Sequence, residues 1–222
     1  MPKVATFFGG GLKDTESIEY NESVLIGNLL GEHEYMVKNG GYSGLMEAVS
    51  KGASENGSDV LGFTCRTYRS VIGNEYLTRT IPCDDIYERL RNLISSSNIF
   101  ITHRGGIGTL SELSLVIDEC RKMKNPPKIY IIGDIWKTIF ESFKGKIMSE
   151  KEFGILTFCE DYKDFESKFI KDEQWKKLRY KIMLKPIGSR DAEKEITTGF
   201  ISLHKIHNSA KTYNRNKLKK SE

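Results

Sequence analysis

Three times in the first 125 residues, an apolar run breaks into glycines and a helical pattern follows at once. KVATFF (3–8) ends in GGG, and residues 16–31 then place Ile18, Val24, Leu25, Leu29 and Leu30 at helical spacing. EYMVK (34–38) runs through NGG into GLMEAVSKGASENG (44–57), and NIFITH (98–103) runs through RGGIGT into LSELSLVIDECRKM (110–123). Between them DVLGFTC (59–65) reads as a strand leading into a polar loop of about twenty residues. DDIYERLRNLISS (84–96) reads as a helix whose acidic start suits the positive end of its dipole. KIYIIG (128–133), a helix over 135–147 and GILTFC (154–159) complete the pattern. Strands alternating with helices predict a parallel sheet covered on both faces, because parallel neighbours need helical crossovers. The expected class is α/β, doubly wound. Residues 1–165 are expected to form that domain. Residues 166–222 are expected to add a helical extension and a basic tail.

Composition removes several function classes. No window approaches the roughly 20 apolar residues of a membrane-spanning helix, and MPKVATFFGGG lacks the long apolar core of a secretory signal. A soluble, cytoplasmic chain with no membrane partner is expected. Cys65, Cys83, Cys120 and Cys159 are scattered singly, without a CxxC pair, and no HExxH occurs among the four histidines. Buried free thiols and no metal are therefore expected. The net charge of +4 is concentrated at the end, where residues 205–222 carry six basic side chains against Glu222 alone. Such a tail can touch nucleic acid, but no recognition-helix signature accompanies it, so nucleic acid is not the expected partner.

In a doubly wound sheet, ligands bind beyond the carboxyl ends of the strands, where glycine turns let the backbone approach and helix N-termini present unpaired N–H groups. The three glycine clusters converge there: Gly10 and Gly11 from the first, Gly40, Gly41 and Gly44 from the second, and Gly105, Gly106 and Gly108 from the third. GxxxxGK[ST] is absent, which disfavours a triphosphate. The first cluster is not GxGxxG and no acidic residue closes the second strand, which disfavours a dinucleotide. RGGIGT offers N–H groups, a helix dipole and the Thr109 hydroxyl, enough for one phosphate monoester. No cofactor is expected. Glu112 stands three residues after Thr109, either facing the same mouth or closing a capping box with Thr109. Arg89 lies on the preceding helix, either in the site or in solvent.

Together these segments resemble the Lonely Guy (LOG) family, phosphoribohydrolases that act on cytokinin nucleotides. The family's PGGxGTxxE is similar to Arg104-Gly105-Gly106-Ile107-Gly108-Thr109-Leu110-Ser111-Glu112, and its GGGxxGLM to Asn39-Gly40-Gly41-Tyr42-Ser43-Gly44-Leu45-Met46. The likeness runs from about residue 3 to residue 160, and the family's catalytic arginine falls on Arg89. It implies a Rossmann-like homodimer that binds a nucleoside 5′-monophosphate, such as AMP or a modified AMP, and cleaves its N-glycosidic bond. By that likeness Gly105, Gly106, Gly108 and Thr109 hold the phosphate, and Glu112 and Arg89 act at the reacting end. Gly10, Gly11, Gly40, Gly41, Gly44, Met46 and Arg104 line the nucleotide pocket. The chain departs from the pattern at Asn39, Leu90 and Arg104, where the family carries Gly, Lys and Pro. It also lacks the tryptophan and glutamine that plant members carry after the glutamate.

A second reading is a non-catalytic nucleotide or molybdenum-cofactor carrier of the same fold. It needs the glycines but has no use for Arg89 and Glu112 as a pair. The dimer expectation rests on the likeness and on Leu110, Leu113, Val116, Ile117 and Cys120, which recur on one face of the helix after the third glycine cluster.

Overall fold

The computed structural model describes residues 3–11, 14–68 and 72–184, with residues 180–184 described by backbone alone. Strands β1 (Lys3–Phe8), β2 (Tyr35–Asn39), β3 (Val60–Cys65), β4 (Arg79–Cys83), β5 (Ile99–Thr102), β6 (Lys128–Ile132) and β7 (Leu156–Cys159) form one sheet. All its pairings are parallel, in the order β4-β3-β2-β1-β5-β6-β7. The chain winds from β1 outward to β4, then returns to the other side of β1 and winds outward again to β7. The reversal puts a switch point between β1 and β5, the place where an open α/β sheet opens a crevice. The α/β, Rossmann-like, doubly wound class expected from the sequence is the class observed.

Helix α1 (Ile18–Glu32) and α2 (Leu45–Glu55) follow β1 and β2. Helices α3 (Ile86–Ile94), α4 (Ile107–Cys120) and α5 (Asp134–Phe143) belong to the second half. The latter three share a core with one sheet face, in which Leu93, Leu113, Val116, Trp136 and Phe140 pack with Phe8, Phe63, Phe100, Ile129 and Ile131. The rings of Phe8 and Phe100 stack across β1 and β5 with centroids 6.2 Å apart. This cluster decides one expectation. Leu113, Val116, Ile117 and Cys120 of α4 are buried against the sheet within one chain. Each large apolar side chain there contributes roughly 2 kcal/mol to folding. The apolar face of α4 therefore covers the sheet and is not a free subunit surface.

Other boundaries differ for local reasons. The polar loop expected after β3 contains β4, whose alternation is weak because it is an edge strand, mostly half-buried or exposed, with Pro82 near its end. Helix α4 begins at Ile107 rather than Leu110, since two of the loop glycines sit at the helix start. A short helix α6 (Glu150–Phe153), closed by a Ser149–Glu152 capping box, precedes β7. Helix α7 (Tyr162–Leu184) follows β7, and the basic tail lies outside the described residues. The chain divides into two units, Met1–Lys168 and Phe169–Glu222, and the site below is built from the first alone. All four cysteines are free and buried. Among the described residues no helix is long and apolar enough to cross a membrane, and no group of three or more His, Cys, Asp or Glu could hold a metal ion.

Candidate active site

The first and third glycine clusters meet at the switch point. The Gly10 N–H donates to the Arg104 carbonyl at 2.9 Å, and the Gly10 carbonyl accepts from the Leu45 N–H at 3.0 Å. One residue therefore joins the ends of β1 and β5 to the start of α2. A Cβ on Gly10 would stand 3.0 Å from the Gly105 Cα, so the two loops touch through bare backbone. Gly41 and Gly44 adopt φ of 78° and 77°, a conformation that side chains rarely enter. The Asn39 departure is accommodated here. Its amide oxygen accepts from the Gly41 N–H at 2.7 Å and its amide nitrogen donates to Ser50 Oγ at 2.8 Å, an Asx-type turn closing the second loop.

RGGIGT is divided by role. A Cβ on Gly105 would lie 2.2 Å from Thr109 Oγ1, so this glycine makes room for the buried threonine. A Cβ on Gly106, Gly108 or Gly11 would meet nothing within 4 Å. Gly106 is the N-cap of α4 and supplies no side-chain cap. The N–H groups of Ile107, Gly108 and Thr109 thus lack an intrahelical acceptor and stand at the positive end of the dipole. The Thr109-x-x-Glu112 capping box does not form, because the helix begins two residues before Thr109. Arg104, placed by likeness in the pocket, pairs its exposed guanidinium with Glu19 of α1.

Arg89 and Glu112 come from α3 and α4 and meet. Arg89 Nη1 donates to Glu112 Oε1 at 3.1 Å, and Arg89 Nε donates to the Phe63 carbonyl of β3 at 2.7 Å. The two side chains are only 7% and 13% exposed, so Arg89 is not a solvated helical arginine. Gly40 is what admits it, since a Cβ there would lie 2.1 Å from Arg89 Nη2 and 2.7 Å from Met46 Sδ. The Arg89 guanidinium also stands 5.8 Å from the centroid of the Tyr42 ring. Burial raises the Glu112 pKa above the usual carboxylate value, against the pull of Arg89. A buried ion pair adds little net stability, because desolvation offsets its attraction. Arg89 and Glu112 are therefore held together between α3, α4 and the end of β2 as a buried, hydrogen-bonded ion pair.

Two buried polar residues beside these elements were not legible in the sequence. Lys38, buried in β2, donates to the Asn92 and Ser95 carbonyls at the C-terminal end of α3, the helix that carries Arg89. Burial lowers its pKa to about 8. His103, the first residue after β5, is buried; its ring bonds Glu22 of α1 at 2.9 Å and the Arg104 N–H at 2.7 Å. A lone lysine in an apolar strand and a histidine beside a glycine loop were the only signals, and neither names its partner.

The model of the SLOG cluster4 family matches residues 3–142. An uncharacterized protein of Archaeoglobus fulgidus is 30% identical over 126 residues, 56% of this chain and 81% of that protein. A cytokinin riboside 5′-monophosphate phosphoribohydrolase of Arabidopsis thaliana is 33% identical over 117 residues, 52% of this chain. The match spans 51% of that plant enzyme, about half its length. Among solved structures, the molybdenum cofactor binding protein of Rippkaea orientalis superposes with a TM-score of 0.62 at 16% identity, covering 78% of this chain and 97% of that one. At that identity the likeness is one of fold.

Proposed function

This chain belongs to the SLOG cluster4 family, and we propose that it hydrolyses the N-glycosidic bond of a nucleoside 5′-monophosphate, releasing the free base and ribose 5-phosphate. The observation that carries the proposal is the buried Arg89–Glu112 pair, with Glu112 one to two turns along a helix whose N-terminus has no side-chain cap. Glu112 follows Ile107 by five residues, about 7.5 Å along the axis. A phosphate on the α4 N–H groups would leave a ribose lying toward that carboxylate.

Cleavage builds oxocarbenium charge at C1′, which the Glu112 carboxylate stabilises as the bond to the base breaks. Water supplies both missing pieces: its hydroxyl goes to C1′ and its proton to the base nitrogen that carried the sugar. Arg89 is permanently charged and donates no proton; it orients Glu112 and balances its charge. A carrier of nucleotide or molybdenum cofactor would need the glycine loop alone, and would gain nothing from burying two ionised groups.

Incubation with a panel of nucleoside 5′-monophosphates, with free base followed by chromatography, tests the reading. Base should be released, and the matching nucleosides without phosphate should react slower by about a hundredfold or more, since remote binding energy drives the reacting end. Equal rates would overturn the phosphate site, and tight binding without release would favour the carrier. The family likeness also implies a homodimer, for which light scattering should give twice the chain mass at micromolar concentration. A monomer there would refute it.

A further inference from the structure

We propose that His103 is a positioning residue that holds the entrance of the glycine loop in its phosphate-receiving shape. The inference rests on the phosphate-monoester site argued above. Residues 105, 106 and 108 have no side chains, so the loop cannot be anchored through them, and glycine backbone loses the most freedom on ordering. Its position has to be set at its entrance. There, both backbone groups of Arg104 are engaged: its carbonyl accepts from the Gly10 N–H at 2.9 Å, and its N–H donates to His103 Nδ1 at 2.7 Å. Because Nδ1 accepts, the ring proton sits on Nε2 and is donated to Glu22 Oε2 at 2.9 Å.

Glu22 is itself held. Its other oxygen accepts from the Tyr162 N–H at the start of α7, at 3.0 Å. The His103 backbone is fixed on both sides, its N–H donating to the Phe8 carbonyl and its carbonyl accepting from Trp136 Nε1, each at 2.9 Å. The ring is 3% exposed and Glu22 is 16% exposed, so water does not compete strongly for these bonds. The tautomer, the ring orientation and the Arg104 N–H direction are therefore set by one chain of donors. That chain runs from α7 through α1 to the residue before Gly105. The order of the loop amides before ligand arrives follows from it, which is the preorganisation an anion site needs.

The test uses ribose 5-phosphate, which has no glycosidic bond to cleave, with calorimetry for affinity and nucleotide turnover for kinetics. His103→Leu should weaken ribose 5-phosphate about tenfold and raise KM far more than it lowers kcat, as loss of uniform binding does. Arg104→Pro removes the N–H that His103 accepts, so in that background His103→Leu should change affinity by less than about twofold. In an Arg104→Ala background, which keeps the N–H, the tenfold cost should return. Equal costs in all three backgrounds, or a loss confined to kcat, would overturn the proposal.

Two conservative variants keep the question answerable should the leucine variant not fold. His103→Asn places a polar atom where Nδ1 stood and should retain affinity. His103→Gln places one where Nε2 stood and should lose it, and the reverse order would refute the assignment. Wild-type protein that binds ribose 5-phosphate but releases no base overturns the hydrolase reading and leaves this comparison intact. Protein that binds neither ribose 5-phosphate nor inorganic phosphate overturns both.

Discussion

Glu112→Gln is expected to slow base release on the order of 100- to 1,000-fold while leaving nucleotide affinity within a fewfold of wild type. The substitution keeps the side-chain volume and an oxygen for Arg89 Nη1, now 3.1 Å from Glu112 Oε1, but removes the charge that a cationic transition state requires. Losing one preorganised electrostatic contact of this kind commonly costs on the order of 100- to 1,000-fold in kcat. In the proposed reading phosphate affinity resides elsewhere, at the start of α4. If Glu112 is the stabilising carboxylate, the same carboxyl should set the acid limb of the pH profile. Its pKa is raised by burial, so the ionised, active form is lost as pH falls through a value above the ordinary glutamate pKa of about 4.3. In wild type kcat/KM should therefore begin to fall at a higher pH than an exposed glutamate would give. Melting temperature, nucleotide affinity and turnover measured on one Glu112→Gln sample decide the matter, and full turnover would remove Glu112 from the chemistry.

The second large effect is expected at Gly108, with stability and binding moving in opposite directions. Gly108 lies in the first turn of α4, where a Cβ would meet nothing within 4 Å. Gly108→Ala should therefore raise stability by about 0.5–1 kcal/mol, since alanine loses less backbone freedom than glycine in a helix. The same methyl and, more so, the side chain of Gly108→Leu would occupy the space that lets a phosphate approach the N–H groups. Affinity for ribose 5-phosphate should fall on the order of tenfold for alanine and a hundredfold for leucine. Gly105→Ala should differ, because its Cβ would lie 2.2 Å from Thr109 Oγ1. There the fold itself should lose stability. Thermal melts and calorimetry on the three variants separate the roles, and unchanged affinity in Gly108→Leu would show that the open space is not the phosphate's.

What the sequence determined by itself is what short-range chemistry encodes. The strands KVATFF and NIFITH announced themselves as apolar runs because a strand buried on both faces tolerates little else. The glycine clusters marked the ends of β1, β2 and β5, where Gly41 and Gly44 take positive φ and Gly10, Gly40 and Gly105 leave no room for a side chain, and the motif spacing put Glu112 on the helix after RGGIGT. β4 stayed hidden because an edge strand half-open to water needs no apolar alternation, and the start of α4 was misplaced because glycines at a helix N-terminus read as loop. Tertiary structure alone decided the rest. Whether Arg89 faced water or Glu112 depended on Gly40 leaving room for its guanidinium and on the Phe63 carbonyl lying within 2.7 Å of Nε, contacts between residues 26 and more positions apart. The apolar face of α4 could have met a second subunit or its own sheet, and Phe8, Phe100 and Ile129 took it. His103, Glu22 and Lys38 carry no periodic signal, since each owes its role to a partner that the winding of the sheet brings near. Distance along the chain is silent about such pairs, and only the packing of α1, α3 and α4 on the strands joins them.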